Sequence, residues 1–225
     1  MAEAAASHYA AVVEEEPPEL MGRNLRASAQ LLSGATAFFF MSWVFAYFYL
    51  RSLNSHGMWK PKGVDAPVGL GTVIIACVVA SVVLIRLGLA DHRAARRPQW
   101  RTKGLLALLL LLAALVLQVV EWATLGFGPT DGGYASVFVG WTGFYLLFLV
   151  GIVFWLETIV ATSFRYRNVP HGAPRPGEAS GDPYRRGHDI ADPLSLVRPG
   201  LESVAFYATF TAGIGVLTWI VLYLL

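Results

Sequence analysis

Ionisable and amide side chains are scarce in the apolar stretches of this chain, and the sharpest grouping is LQVVEW, which sets Gln118, Glu121 and Trp122 in a run of leucine and alanine. On a helix, Gln118, Glu121, Trp122 and Leu125 follow i, i+3, i+4, i+7 spacing and share one face. A charge at a helix centre costs about 2.5 to 3.5 kcal/mol on insertion scales, so Glu121 has to face protein or water. The chemistry it suggests is proton handling. A relay, however, needs further acids or waters at successive depths, and the apolar stretches offer none between Glu121 and the nearer predicted helix end, about 7 Å away. Structural hydrogen bonding is therefore the reading the residues favour. Arg86, Glu157 and Glu202 complete the set near the helix ends. Arg86 and Glu157 fall at matching depth, which predicts an ion pair or pairing of each with lipid headgroups.

Other chemistries are poorly served. Haem in a helical bundle needs axial histidines within the spans, and copper centres need clustered histidine or cysteine. His8, His56, His92, His171 and His188 fall in tails, loops or at a helix end, and Cys77 is the single cysteine. Neither a CxxCH haem attachment nor an intrachain disulfide can form. No nucleophile stands beside a base in the sequence, and no glycine-rich phosphate cradle follows a strand. The chain is expected to hold no cofactor of its own and not to be catalytic alone.

The elements that must position these residues follow from composition. With 56% hydrophobic and only 14% charged residues, the chain does not resemble a soluble globule. Charge-free stretches run over 27–50, 66–85, 104–120, 132–156 and 203–225, each close to the roughly 17 to 25 residues that cross a bilayer as helix. Pro61, Pro67, Pro98, Pro129 and Pro170 all fall at or beyond their ends, so unbroken helices are expected. The fold class is all-α, an integral membrane bundle of five transmembrane helices over about 29–51, 67–90, 103–127, 133–164 and 201–225. Residues 1–24 are read as a disordered cytoplasmic tail and 166–199 as a long cytoplasmic loop rich in Pro, Gly and Arg. The stretch GFGPTDGG reverses the chain tightly, making spans three and four antiparallel neighbours. Gly34, Ala35, Ala37, Gly69, Gly71, Gly213 and Gly215 offer places for close helix approach.

The net charge of +2 conceals an asymmetry. Arginines gather before span one, between spans two and three, and between four and five, whereas the opposite side holds only Arg51, Lys60 and Lys62. The positive-inside tendency predicts a cytoplasmic N-terminus and an outward C-terminus. The arginines fit anionic lipid rather than nucleic acid. The N-terminus lacks the basic region and short apolar core of a cleaved signal peptide.

From Trp59 through Phe144, and again near the C-terminus, the chain resembles subunit III of the haem–copper cytochrome c oxidases in its five-helix bacterial form. Gln118, Glu121 and Trp122 match a Gln-x-x-Glu-aromatic motif. Asp131, Tyr134, Ala135, Ser136, Phe138, Thr142, Gly143 and Phe144 match the pattern that follows it. Trp59 and Pro61 match a tryptophan and proline-rich connection, and Glu202 and Tyr207 fit the last helix. The chain departs from the family at Thr36, where the family places a glutamate, at Tyr145 and Phe148, where it has histidines, and over Ala208, Thr209, Phe210 and Ala212, where it has Trp-His-Phe-x-Asp, so it reads as a divergent member. The resemblance implies a non-redox subunit docked on the haem–copper catalytic subunit and its copper-bearing companion. Haem and copper would lie in those partners, a bound phospholipid is compatible with the family, and the site is a prokaryotic plasma membrane. Gln118, Glu121, Trp122, Asp131, Tyr134, Glu202 and Tyr207 become candidates for structural, interface or lipid contact. An accessory subunit of a quinol oxidase or nitric oxide reductase is the neighbouring alternative. A small transporter or channel, from another class, would need a polar midplane site that the sequence does not show.

Overall fold

The computed structural model describes residues 18–54, 57–165 and 197–225. They form an all-α bundle: α1 Pro18–Ser52, α2 Val68–Arg93, α3 Arg97–Thr124, α4 Gly133–Arg165 and α5 Val197–Trp219, the last running on into one π-helical turn, Ile220–Leu224. All five helices are long and apolar enough to cross a membrane, which fits a multi-pass membrane protein. α2, α3, α4 and α5 pack as a quadrilateral, each against the next, and α1 lies in the groove between α4 and α5. One end of the bundle, the loop end, carries residues 53–54 and 57–67, the turn 125–132 and the π turn. The other end gathers Arg26, Arg93, Arg96 and Arg198, and is called the arginine end.

Several boundaries differ from the sequence reading, among them α2, which runs to Arg93 rather than 90, and α3, which starts at Arg97 rather than 103. α1 starts at Pro18, so residues 18–24, expected within a disordered tail, are helical. Proline suits a first helical position, where its missing N–H has no partner to lose. Gly22 then lies against α5, where an added Cβ would stand 3.2 Å from the Pro199 ring. α5 likewise begins at Val197, inside the expected loop, with Val197 and Gly200 buried. Residues 1–17 and 166–196, the remainder of the expected tail and loop, lie outside the described residues. α3 stops at Thr124 rather than 127, because Leu125 turns extended at φ −60° and ψ 135°. That turn lets Phe127 fold back, buried, onto the rings of Phe138 and Tyr134.

The connection between α2 and α3 is only three residues long and closes as a Schellman motif. The Arg96 amide donates to Asp91 O at 2.9 Å and the Ala95 amide to His92 O at 3.1 Å, so the last carbonyls of α2 are satisfied. Ala95 occupies the left-handed position at φ 60°, where glycine is the usual residue. Pro98 in the first turn of α3 fixes the restart.

At the other end α4 is capped by main chain. The Gly133 amide donates to Met58 O at 3.3 Å and the Tyr134 amide to Trp59 O at 2.8 Å. Two of the four orphan amides of a helix start are thereby paired. Gly132, at φ 124°, permits this contact, since a Cβ there would meet Met58 O at 3.0 Å and Pro61 at 2.7 Å. Of the small residues expected at close approaches, Gly71 and Gly215 are so used, against the rings of Tyr223 and Tyr145. Gly34, Gly69 and Gly213 have open space around them.

The exterior is apolar, with Leu31, Phe38, Phe45 and Phe154 more than two thirds exposed. Such a surface suits acyl chains far better than water.

Candidate functional site

The face of α3 that carries Gln118 and Glu121 turns inward. Along it Ala107, Leu111 and Ala114 are almost fully buried, Gln118 is 4% exposed and Glu121 0%. Glu121 sits three residues before the end of α3 at the loop end. Gln118 Nε2 donates to Glu121 Oε2 at 2.5 Å, and Tyr223 Oη donates to both carboxyl oxygens at 2.9 Å. Three elements create this meeting. α3 supplies the i, i+3 pair, the π turn at the end of α5 supplies Tyr223, and Gly71 on α2 leaves room for the Tyr223 ring, since a Cβ there would lie 2.2 Å from it. The widened π turn changes which way its side chains point relative to a continued α-helix, as such turns often do at functional positions. Among the described residues no Lys, Arg or His pairs with Glu121; its donors are a neutral amide and a phenol.

Trp122 is tied in separately. Its indole Nε1 donates to Thr142 Oγ1 at 3.0 Å, and Thr142 Oγ1 donates onward to Phe138 O at 2.7 Å. Tyr134 Oη donates to Leu222 O at 2.5 Å, fastening α4 to the π turn. Asp131 has a local role: its Oδ2 accepts the Gly128 amide at 2.7 Å and holds the tight turn.

Next to this cluster lies a polar cavity of about 570 Å³, with Tyr134 and Tyr223 in its wall and Arg51, Asn54, Lys60 and Asp65 around it. Lys60 pairs with Asp65 at 3.0 Å and stands 4.8 Å over the Tyr134 ring. Trp59 is edge-on to both Tyr47 and Tyr134.

Glu202 lies at the arginine end, where it accepts from three arginines on three helices: Arg26 at 2.7 Å, Arg93 at 3.0 Å and Arg198 at 3.4 Å. Asp91, buried near the end of α2, pairs with Lys103 of α3 and, at 3.6 Å, with Arg96. Tyr207 Oη and Thr36 Oγ1 are 3.1 Å apart and join α5 to α1. Thr36, where the family resemblance would place an acid, spends its own hydroxyl also on Leu32 O at 2.7 Å.

The expected Arg86 and Glu157 ion pair does not form. Arg86 Nε donates instead to Thr209 Oγ1 at 2.9 Å, joining α2 to α5. Glu157 is exposed on α4. Matching depth was the whole basis of the pairing, and depth says nothing about azimuth: α2 and α4 occupy opposite corners of the quadrilateral. Among candidate residues, then, Gln118, Glu121, Trp122, Asp131 and Tyr134 gather at the loop end, while Glu202 and Arg86 belong to the arginine half and Glu157 stands apart.

Sequence reasoning missed Tyr223 and the Glu202 arginines. A tyrosine one helical turn or less from a helix end reads first as a headgroup anchor, and arginines beside a span read first as topology signals. The signal for Tyr223 was the presence of a buried acceptor, Glu121, at the same end of the bundle. Among the described residues no group of three or more His, Cys, Asp or Glu is placed to hold a metal ion. His8, His56, His171 and His188 lie outside the described residues.

Fold and site together define a multi-pass, all-α membrane protein whose buried polar groups fasten helices to one another. No protein-family model matches the chain, and no curated protein matches it.

Proposed function

We propose that the chain is a non-redox subunit of a haem–copper respiratory oxidase, of the subunit III type, in a prokaryotic plasma membrane. On this reading the partners, a catalytic subunit and a copper-bearing subunit, hold haem and copper and carry out oxygen reduction. The chain described here stabilises the catalytic subunit and meets phospholipid over its apolar exterior. The N-terminus and the arginine end face the cytoplasm by the positive-inside tendency, and the loop end faces outward.

The observation that carries the proposal is the Gln118, Glu121 and Trp122 motif followed at family spacing by Asp131, Tyr134, Phe138 and Thr142. What supports it further is that these residues engage one another or the same π turn: Trp122 with Thr142, Tyr134 with Leu222, Glu121 with Tyr223. A motif whose members jointly fix three helices serves fold and docking. Specificity for cytochrome c, quinol or nitric oxide would reside in partner chains.

The test is purification through a tag on this chain in a gentle detergent, followed by optical spectra and identification of co-purifying chains. Haem absorbance and a haem-bearing partner in stoichiometric amount are expected. Recovery of the chain alone, under conditions that keep other respiratory complexes intact, refutes the proposal.

A further inference from the structure

Glu121 is fully buried, yet the residue that donates to it, Tyr223, is also part of the wall of the polar cavity at the loop end. Tyr223 Oη, within hydrogen-bond reach of both carboxyl oxygens, belongs to a residue that also lines the cavity. Arg51, Lys60 and Asp65 at that cavity are exposed, so water reaches it. Toward the arginine end the situation is the reverse. Gln118 closes the carboxyl with an amide N–H, and beyond it the same face of α3 presents Ala114, Leu111 and Ala107, at most 1% exposed. Along this face α3 offers a water chain no polar partner.

We propose that Glu121 is a proton-binding site served from the loop end alone, with the Tyr223 hydroxyl as its relay. In loading, a hydronium in the cavity gives a proton to a lone pair of Tyr223 Oη while the phenol's own proton passes along the existing hydrogen bond to a Glu121 oxygen. The products are water, a neutral phenol and a neutral carboxyl; unloading is the reverse. No other reactant is needed. The proposal does not rest on the oxidase reading.

The groups facing Glu121 make its proton count consequential. α3 presents Gln118, the π turn Tyr223 and α4 the Phe138 ring edge-on to Tyr223 at 5.4 Å, with Gly71 of α2 against the same ring. Tyr134 has its hydroxyl committed to Leu222 O, Lys60 is paired with Asp65, and Arg51 stands across the cavity. No fixed cation among the described residues balances the carboxylate, so a proton changes both the charge and the donor pattern that tie α3 to the end of α5.

The experiment uses the full chain, with any partners that co-purify, in vesicles sorted to a single orientation. Infrared difference spectra follow the carbonyl stretch of the protonated carboxyl, assigned by its loss in Glu121→Gln, while pH is stepped on one side and clamped on the other. An acid step at the loop end should raise the band, and an acid step at the arginine end should not. Tyr223→Phe should reach the same final amplitude at least about tenfold more slowly, as expected when a positioned proton-transfer group is removed. Ala66→Trp, which narrows the cavity without touching the three hydrogen bonds, should slow the band too and serves if Tyr223→Phe fails to fold. A Glu121 band that answers to the arginine side, that rises within a few-fold of the wild-type rate in both variants, or that does not respond to pH overturns the proposal.

Discussion

Replacing Gly71 by alanine tests the geometry of the Glu121 cluster through Tyr223, because the atoms nearest an added Cβ belong to that ring. The Cβ would lie 2.2 Å from Tyr223 Cε1 and 2.6 Å from Cζ, distances no carbon pair sustains. The ring must swing out of its place over α2, and its hydroxyl leaves the carboxyl. Overpacking of this kind costs about 1 to 3 kcal/mol. Loss of a hydrogen bond to a buried carboxyl adds about 1.5 to 3 kcal/mol, and the better helix propensity of alanine returns about 1 kcal/mol. Gly71→Ala should therefore destabilise by about 1.5 to 5 kcal/mol. Gly69→Ala, two residues away with nothing within 4 Å of its Cβ, should be neutral or stabilise by up to about 1 kcal/mol. Denaturant titration in mild detergent, followed by tryptophan fluorescence, reads both. A double-variant cycle with Tyr223→Leu supplies the control: once the ring is gone, Gly71→Ala should lose most of its cost, a coupling of about 1 kcal/mol or more. Equal stability of the Gly71 and Gly69 variants, or an undiminished cost beside Tyr223→Leu, would refute the reasoning.

Ala95→Gly should stabilise the chain by about 0.5 to 1 kcal/mol in the same titration, since alanine holds a left-handed φ of 60° in the α2–α3 turn. Arg86→Leu and Glu157→Leu should combine additively to within about 0.5 kcal/mol, because Arg86 bonds Thr209 and not Glu157; a larger coupling in a double-mutant cycle would restore the ion pair. Glu121→Gln should keep the fold, as an amide oxygen still accepts from Tyr223, whereas Glu121→Leu strands the Gln118 amide and the Tyr223 hydroxyl at about 1 to 3 kcal/mol each, read as a lower unfolding midpoint and weaker retention of any partner chain.

The number of helices and their apolar stretches were legible because a bilayer-length helix is a long, one-dimensional signal that needs no knowledge of neighbours. The inward face of α3 was legible for the same reason, since Gln118, Glu121 and Trp122 share it by period alone. What period cannot supply is azimuth between helices. Arg86 and Glu157 were matched on depth, a coordinate the sequence carries, and separated by position around the bundle, a coordinate it does not. Tyr223 was missed on similar grounds: its approach to Glu121 depends on a π turn and on the absence of a side chain at Gly71, two features far apart in sequence that only packing brings together. The ends of α1 and α5 were placed too far inward because charged and proline-containing residues near a span look like loop until Gly22 and Pro199 are seen in contact.

The two ends of the bundle are fastened by different physics. At the arginine end the guanidinium side chains that hold Glu202 are 53% to 64% exposed, where an ion pair contributes about 0 to 1 kcal/mol and salt screens it. Three of them on one carboxylate fix the register of α1, α2 and α5 more than they stabilise it. At the loop end the bonds are buried or part-buried and costly to leave unmade, so the stability that sets how α3, α4 and α5 meet is concentrated around Glu121. Raising salt should then loosen the arginine end while leaving the Glu121 bonds intact. A change in the proton count of Glu121 should do the opposite, acting where the helices are held most firmly. A single titratable group can influence the whole bundle only from such a place, and that is where this chain keeps its one fully buried carboxyl among the described residues.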